Sequence, residues 1–335
     1  MVATSSPLAK ARARQALRES GLPYGGTLVK ASSTRNEIFL TDRYVVRVNR
    51  SFNQRLRRES ELYRFLPCGD WTPKLVATGG ELGADYLIVQ RSPGVPLAHA
   101  WPQMSWAQRR RAIGQLAGLL HQIHQVPTPP PDAIPSLAAA PHLLDGATQP
   151  PSQRLVDAIN QLSKAEHVDQ GVTRAALDMI AESGFAIDNY STSHLIHGDV
   201  TFENVLWDGG SISAIVDFEW ARGAPADLDL DVVLRCCALP KAHIDPELSQ
   251  TVAVEDFAAV PSWLANDYPE LFSHPHLVDR LKMYSLAFDT AHAISTPVPQ
   301  HRHSVSSLHP YNRLVALVSD GGYLAESLNT IGLNI

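Results

Sequence analysis

Residues 194–221, HLIHGDVTFENVLWDGGSISAIVDFEWA, constrain the fold of this chain more than any other stretch. Two β-prone runs, 205–207 and 211–216, are joined by Asp-Gly-Gly at 208–210, which is a strong signal for a tight turn. The segment therefore predicts a β-hairpin. Folding it brings its two outer ends together, so polar residues that are far apart along the chain become neighbours.

Three polar residues flank this predicted hairpin. Asn204 precedes its first strand and Asp217 follows its second, and the loop that carries Asp199 leads into the same end. One carboxylate can then take or orient a hydroxyl proton while the other two groups hold Mg²⁺, which prefers oxygen ligands. His197 lies close by in the loop. Taken on residue types alone, this arrangement predicts a metal site and no more.

The chain before residue 92 has a different character. Short β-prone runs at 27–30, 37–40 and 44–48 are separated by polar turns and predict a small antiparallel sheet. A helix is expected from about 52 to 66, with a buried stripe on one face. The stripe consists of Phe52, Leu56, Tyr63 and Leu66.

Glu59 lies on the same stripe as these apolar residues. A carboxylate that faces inward is costly unless it is paired. Arg47, flanked by valines in the run 44–48, is the expected partner on the sheet that the helix covers. The alternative is a helix rotated so that Glu59 faces solvent.

A strand predicted at 86–90 is broken by Arg-Ser-Pro-Gly at 91–94, as in a connection between two lobes. We therefore expect one lobe over residues 1–92 and a mainly helical one over 93–335. Ser105 and Gln108 form a predicted capping box for a helix that runs to about 126. The Pro- and Ala-rich stretch 127–151 is either a substrate lid or a connector, and the pattern slightly favours a connector.

Composition narrows the class of partner. The chain has 335 residues, 44% of them hydrophobic, which is enough for a sizeable core. Its net charge of −6 argues against nucleic acid and mildly favours a cationic ligand by electrostatic steering. Cys68, Cys236 and Cys237 form no CxxC pair, which favours a reducing compartment. With no run long enough to cross a membrane, we expect a cytoplasmic protein without a membrane partner.

HGDVTFEN, residues 197–204, resembles the HGDxxxxN catalytic loop of aminoglycoside phosphotransferases and choline kinases, and IVDFEWA, residues 215–221, resembles their metal-binding strand end. GGTLVKASSTRNEIF, YVVRV, RRESELYRFL and YLIVQRSPGVPL also resemble, in order, the family's nucleotide-loop hairpin, third strand, covering helix and hinge. The likeness extends over nearly the whole chain from about Gly25. It implies an α+β, bilobal protein-kinase-like fold, with a small antiparallel-sheet N-lobe and a larger helical C-lobe.

The resemblance also implies roles for individual residues. Asp199 would be the catalytic base, Asn204 and Asp217 would bind Mg²⁺, and His197 would shape the loop through hydrogen bonds. The residues implied for the nucleotide are Arg47, Glu59, Ser33, Gln90 and Ser92. Asp229 is expected to brace the catalytic loop, with Asp227 as the alternative. Glu219 and Asp289 are further candidates for a structural or substrate role, and core hydrogen bonding is the alternative for Asp289.

The activity implied is transfer of the γ-phosphoryl group of ATP or GTP to a hydroxyl of a small molecule, such as an antibiotic, an amino alcohol or a sugar-like acceptor. Both a monomer and a homodimer stay open.

Two features depart from the family pattern: Arg47 replaces the usual lysine, whose compact geometry it cannot copy, and the first hairpin has no GxGxxG run. The alternative is a catalytically silent, nucleotide-binding regulatory protein of the same fold.

Overall fold

The computed structural model describes residues 7–31, 36–66, 69, 71–130, 132–134, 142–146, 148–189, 191–245 and 251–333. The first part of the chain builds a five-stranded antiparallel sheet between two helices. Its elements are α1 (Pro7–Glu19), β1 (Val29–Ala31), β2 (Glu37–Leu40), β3 (Tyr44–Val48), α2 (Arg55–Leu62), β4 (Leu75–Gly79) and β5 (Tyr86–Gln90). The strand order is β1-β2-β3-β5-β4, which places β3 at the centre of the sheet.

Each helix covers the sheet with a narrow apolar face. Ala13 and Leu17 of α1 pack on Phe39, Val46 and Ile88. Leu56 of α2 packs with Leu87 and Val89. Each large apolar side chain buried in this way contributes about 1.5–3 kcal/mol. The sheet is thus a rigid platform, and its central strand carries Arg47 beneath α2.

Helix α2 is shorter than predicted. It begins at Arg55, and Phe52, which we expected on its buried face, is 82% exposed. The side chain of Asn53 accepts a hydrogen bond from the N–H of Arg55 (3.0 Å). This local side-chain turn competes with helix formation and delays the start of the helix. The prediction for Phe52 was therefore wrong, whereas Leu56 and Leu66 are buried as expected.

Five short strands follow: β6 (Val95–Pro96), β7 (Leu195–Ile196), β8 (Val205–Trp207), β9 (Ile212–Ile215) and β10 (Arg222–Gly223). β8 and β9 form the predicted hairpin, β6 pairs with β8, and β7 pairs with β10. Gly94 has φ +97°, and a Cβ there would lie 2.3 Å from the carbonyl oxygen of Trp207. Only glycine permits the backbone to approach the hairpin so closely.

The rest of the described chain is mainly helical. The helices are α3 (Leu97–Ala100), α4 (Trp106–His124), α5 (Pro151–Leu162), α6 (Gln170–Ser183), α7 (Phe185–Asp188), α8 (Asp227–Ala238), α9 (Pro240–His243), α10 (Val260–Asp267), α11 (Leu277–Ser295), α12 (Pro310–Asp320) and α13 (Gly322–Asn329). The capping box is confirmed, because the N–H of Gln108 bonds to the Ser105 hydroxyl and the Gln108 side chain accepts from the Ser105 N–H. None of the helices in the described ranges is long and apolar enough to span a bilayer.

The described parts of the stretch 127–151 pack on this helical core. Ile134 and Leu144 are fully buried in it. Asp145 lies 2.8 Å from Nε of Arg222 in β10. These contacts dock the described parts of the stretch on the lobe, and the choice between a lid and a connector stays a prediction.

Candidate active site

The hairpin brings its two polar ends together as the sequence predicted. The N–H of Val216 donates to the carbonyl oxygen of Asn204 (2.9 Å), so Asp217 follows directly at the same end. Asp217 has φ 67° and ψ 61°, a left-handed conformation that is uncommon for a residue other than glycine. Its side chain is 30% exposed, so the carboxylate is accessible to a ligand.

Asn204 and Asp199 are directly bonded. The Nδ2 group of Asn204 donates to the backbone oxygen of Asp199 (2.8 Å) and to its Oδ2 (3.2 Å). Both residues are partly exposed. The side chain of Asn204 thereby fixes the position of the Asp199 carboxylate relative to the hairpin.

Asp229, at the start of α8, forms hydrogen bonds with the loop that carries Asp199. It is fully buried, and its two oxygens accept the N–H groups of His197 (2.8 Å) and Gly198 (2.7 Å). Burial alone would raise the pKa of Asp229, but its hydrogen bonds with the ring of His124 and the backbone N–H of His197 help to lower the pKa below its usual range. Asp229 is thus an ionised anchor for the two residues before Asp199.

Asp227 does not take this role. It bonds instead to Arg280 and to the hydroxyl of Tyr284 in α11. Of the two aspartates that the sequence left open, the structure therefore selects Asp229 as the residue that contacts the loop.

His197 holds the loop in shape. Its Nε2 lies 3.0 Å from the carbonyl oxygen of Val216, to which it donates, and its Nδ1 accepts the N–H of Asp199 (3.2 Å). Burial lowers the pKa of His197, which favours the neutral ring. With both nitrogens engaged, the ring links the loop to the hairpin end.

Gly198 is required where the loop crosses this end. Its φ is +78°, and a Cβ there would lie 2.4 Å from the carbonyl oxygen of Trp220. A side chain would force the loop away from the strand end that carries Asp217.

Arg47 and Glu59 form the ion pair expected from the periodicity of the helix. Nη1 of Arg47 donates to both oxygens of Glu59 (2.8 and 2.6 Å), and both side chains are buried. Nη2 of the same guanidinium bonds to Asp217 (2.7 Å) and lies 3.5 Å from Glu219. Burial opposes the charge of Arg47, but these three carboxylates raise its pKa above the ordinary value, so it remains cationic.

Glu59 receives a further donor that sequence reasoning missed, because the N–H of Phe218 bonds to it (3.3 Å). The rings of Tyr63 and Phe218 also pack edge to face, with centroids 6.2 Å apart. The helix α2, the end of the hairpin and the sheet therefore meet at one carboxylate.

Glu219 is buried at the same junction. Its Oε2 accepts from Nδ2 of Asn36 (3.2 Å), and its Oε1 lies 3.7 Å from Arg55. No local pattern pointed to Asn36, because its partner lies 183 positions away along the chain. These contacts assign Glu219 to the charged network beside Asp217.

The other predicted site residues are distributed as follows. Gln90 ends β5 with an exposed side chain, and Ser92 lies in the connection that follows. Ser33 and Cys68 lie outside the described residues. Asp289 is buried in α11, and Nε of Arg313 donates to it (2.8 Å), which matches core hydrogen bonding, the alternative weighed for this residue.

Mg²⁺ fits the donors at the hairpin end. This ion commonly takes one or two protein oxygens and completes its shell with substrate phosphates and water. Asp217 offers a carboxylate. Because the amide nitrogen of Asn204 is committed to Asp199, its amide oxygen is the donor atom that it would offer.

Two features together define the kinase-like class of phosphotransferases. One is a sheet whose central strand carries a cation held by a glutamate from a helix. The other is the adjacent loop and hairpin, which bear Asp, Asn and Asp. The fold prediction, α+β and bilobal, is confirmed by solved structures. A thermostable mutant of aminoglycoside phosphotransferase APH(4)-Ia with ADP and hygromycin B has a TM-score of 0.58 at 16% identity, and the match covers 92% of this chain and 99% of that one. The streptomycin–ATP complex of APH(2'')-IIa gives 0.59 at 16%, with 89% and 94% covered.

The model of the phosphotransferase enzyme family (APH) matches residues 28–265, and the chain belongs to that family. An aminoglycoside 3'-phosphotransferase from Streptomyces fradiae is 24% identical over 216 residues, which is 64% of this chain and 70% of the relative. The predictions of the family and of an enzyme of the small-molecule kinase type are therefore confirmed.

Proposed function

We propose that the chain transfers the γ-phosphoryl group of ATP or GTP to a hydroxyl of a small molecule, with Asp199 as the base. The observation that carries this proposal is the bonded pair Asp199 and Asn204 at the end of the hairpin that continues into Asp217. Phosphoryl transfer needs few covalent steps from the protein, so positioning and charge supply most of the catalysis.

Asp199 would accept or orient the proton of the acceptor hydroxyl as that oxygen attacks the γ-phosphorus. Asn204 supports this role, because its Nδ2 bonds hold the carboxylate in place. His197 would act only through the shape of the loop. A general base typically contributes about 10²- to 10⁴-fold to the rate.

Asn204 and Asp217 would hold Mg²⁺, and the ion, when bound, neutralises charge on the phosphates. Arg47 supports the donor side, since its guanidinium is cationic and fixed between Glu59 and Asp217, where a phosphate oxygen of the nucleotide could meet it. Gln90 and Ser92, at the connection after β5, are proposed for the nucleotide base, and Ser33 for the phosphate loop. The structural neighbours crystallised with ADP, AMP-PNP or ATP support ATP as a donor.

The acceptor class is proposed from the relatives. The neighbours are aminoglycoside phosphotransferases, and their named ligands are hygromycin B, streptomycin and gentamicin. A hydroxylated, cationic small molecule is therefore our first choice, and the net charge of −6 favours its approach. We propose a cytoplasmic monomer or homodimer, with lobes divided near residue 92.

The test separates the two aspartates. Asp199→Asn should leave Mg-nucleotide binding nearly intact while turnover falls by roughly 10²- to 10⁴-fold. Asp217→Asn should abolish turnover and also remove the Mg²⁺-dependent part of nucleotide affinity, because the ion acts on the phosphates in both ground and transition states. Binding is measured by calorimetric titration, and acceptors are found by mass spectrometry as a gain of one phosphoryl group.

Asp42→Asn is the matched control, because Asp42 is exposed in the turn between β2 and β3. It should behave like the parent in both assays. Full activity in Asp199→Asn, or parental binding and turnover in Asp217→Asn, would refute the assignment. Nucleotide binding without turnover across a broad acceptor panel would favour the silent regulatory protein instead.

A further inference from the structure

Glu203 lies inside the catalytic loop, directly before Asn204, and the proposed chemistry gives it no task. Its carboxylate nevertheless has two defined contacts. Oε1 accepts the backbone N–H of Asp245 (3.0 Å), and Oε2 lies 3.0 Å from Nε2 of His99. The side chain is only 26% exposed, so these contacts are partly shielded from water.

The two partners come from segments that are remote from each other along the chain. His99 belongs to α3, the first helix after the connection that follows β5, and Asp245 comes two residues after α9. The hydrogen bond from Asp245 and the ion pair with His99 tie the loop to both segments through one side chain. The loop is thereby fixed on two sides close to Asp199.

The neighbouring residue, Phe202, contacts the segment directly after α3 and the turn at Val254–Phe257. Its ring lies 5.2 Å from that of Trp101 and 5.5 Å from that of Phe257, measured between centroids. Its backbone oxygen also accepts the N–H of Ala98 (3.0 Å). Phe202 and Glu203, which are consecutive in the loop, therefore both contact α3 or the residue that follows it, one through its ring and one through its carboxylate.

The two aromatic partners of Phe202 also contact each other. Trp101 stacks on Phe257 with centroids 5.2 Å apart, and its Nε1 donates to the backbone oxygen of Asp256 (3.1 Å). Arg109 of α4 bonds to the carboxylate of Asp256 (2.9 Å). A displacement of the loop would have to break a connected set of contacts rather than a single bond.

Charge favours the polar contact. The nearby Glu203 carboxylate raises the pKa of His99 above its ordinary value and outweighs the opposing effect of burial, and Asp245 acts in the same direction. The bond from the backbone N–H of Asp245 to the Glu203 carboxylate is charge-assisted, and such bonds are stronger than neutral ones.

We propose that Glu203 is a positioning residue that sets the place of the Asp199 carboxylate by fixing the catalytic loop to Asp245 and His99. The inference rests on the proposed phosphotransferase function. The nucleotide side, with Arg47 and Glu59, takes no part in these contacts. Loss of Glu203 should therefore slow the chemical step while leaving nucleotide binding nearly unchanged.

The test compares Glu203→Ala and Glu203→Gln with the parent. Removing the hydrogen bond and the ion pair in Glu203→Ala should lower kcat by about 10-fold, the effect of losing a hydrogen bond to a charged group, while KM for ATP stays within about twofold. Glu203→Gln should fall between the two, because its amide oxygen can still accept the N–H of Asp245. Hydrogen exchange followed by mass spectrometry should show faster exchange at the Asp245 amide in Glu203→Ala.

The matched control is Glu255→Ala, since Glu255 is exposed in the same region and should leave kcat and exchange unchanged. If Glu203→Ala does not fold, the kcat and exchange of Glu203→Gln decide the matter. Parental kcat and parental exchange at Asp245 would overturn the proposal. So would equal losses in kcat and ATP affinity with faster exchange throughout 195–215, which would indicate general destabilisation.

Failure of the proposed function would look different. If the parent phosphorylates no acceptor, or if Asp199→Asn is as active as the parent, the function is refuted, whereas the exchange measurement still decides whether Glu203 fixes the loop.

Discussion

Glu59→Gln is the substitution whose effect can be worked out most fully from the structure. The change keeps the size of the side chain and removes its charge. One oxygen that accepts from Nη1 of Arg47 at 2.6–2.8 Å becomes an amide nitrogen, so two donors face each other. The remaining oxygen can still accept one bond from Arg47 or from the N–H of Phe218.

The size of the expected effect depends on the hydrogen bonds that Arg47 retains in this variant. Its Nη2 remains bonded to Asp217 at 2.7 Å, so the guanidinium is not left without a partner. The loss is then that of one charge-assisted hydrogen bond, about 1.5–3 kcal/mol, rather than the 3–5 kcal/mol of an abandoned buried charge. If this free energy is expressed in the positioning of the phosphates, turnover with Mg-ATP should fall by roughly 10- to 100-fold, since 1.4 kcal/mol corresponds to about tenfold.

The assay combines steady-state turnover with calorimetric titration of Mg-ATP. Glu81→Gln serves as the control, because Glu81 is exposed shortly after the end of β4. Circular dichroism should show that the secondary structure of Glu59→Gln is retained. Kinetics and affinity equal to those of the parent would mean that Glu59 does not orient Arg47 for the nucleotide.

Two further predictions concern the catalytic loop. Asp229→Asn should sharply reduce turnover and lower the melting temperature, because an amide nitrogen would face backbone N–H donors. Each buried donor left unpaired costs about 1–3 kcal/mol. A differential scanning fluorimetry profile and a kcat equal to those of the parent would show that Asp229 does not hold the loop in place. The pair of His99 and Glu203 should stabilise the fold by less than about 1 kcal/mol, since it is partly exposed. Because the folded pKa of His99 is raised, that contribution should be complete below the ordinary value of 6.5 and disappear as the pH rises through the folded pKa. Denaturant unfolding of the parent and of His99→Gln across this range should give curves that converge at high pH, and a constant difference would contradict the assignment.

The parts of the site that could be predicted were those encoded by short-range patterns. The turn at 208–210 is sufficient to place Asn204 beside Asp217, and helical periodicity is sufficient to place Glu59 over β3. Each of these inferences needs only the geometry of one element and the rule that buried charges are paired. The division of the chain at residue 92 stays a prediction.

Contacts set by tertiary packing could not be predicted from such patterns. Arg313, the partner of Asp289, lies 24 positions further along the chain, and Asn36 reaches Glu219 from the other end of the site. Strand β4 was missed because Leu75–Gly79 contains Ala, Thr and Gly, and its strand conformation comes from pairing with β5. Phe52 was misplaced because a local turn at Asn53 overrode the hydrophobic period.

The left-handed backbone of Asp217 sets backbone strain against the pairing of a buried charge at a single position. A residue with a Cβ costs roughly 1–2 kcal/mol in this conformation, whereas glycine adopts it freely. The substitution Asp217→Gly would relieve this strain, but it would also remove the carboxylate that Mg²⁺ would need and that pairs with the buried Arg47, so the gain is offset by the loss of that ion pair. A thermostabilised variant of this enzyme should accordingly be sought by substitutions elsewhere, with residue 217 held constant during the search.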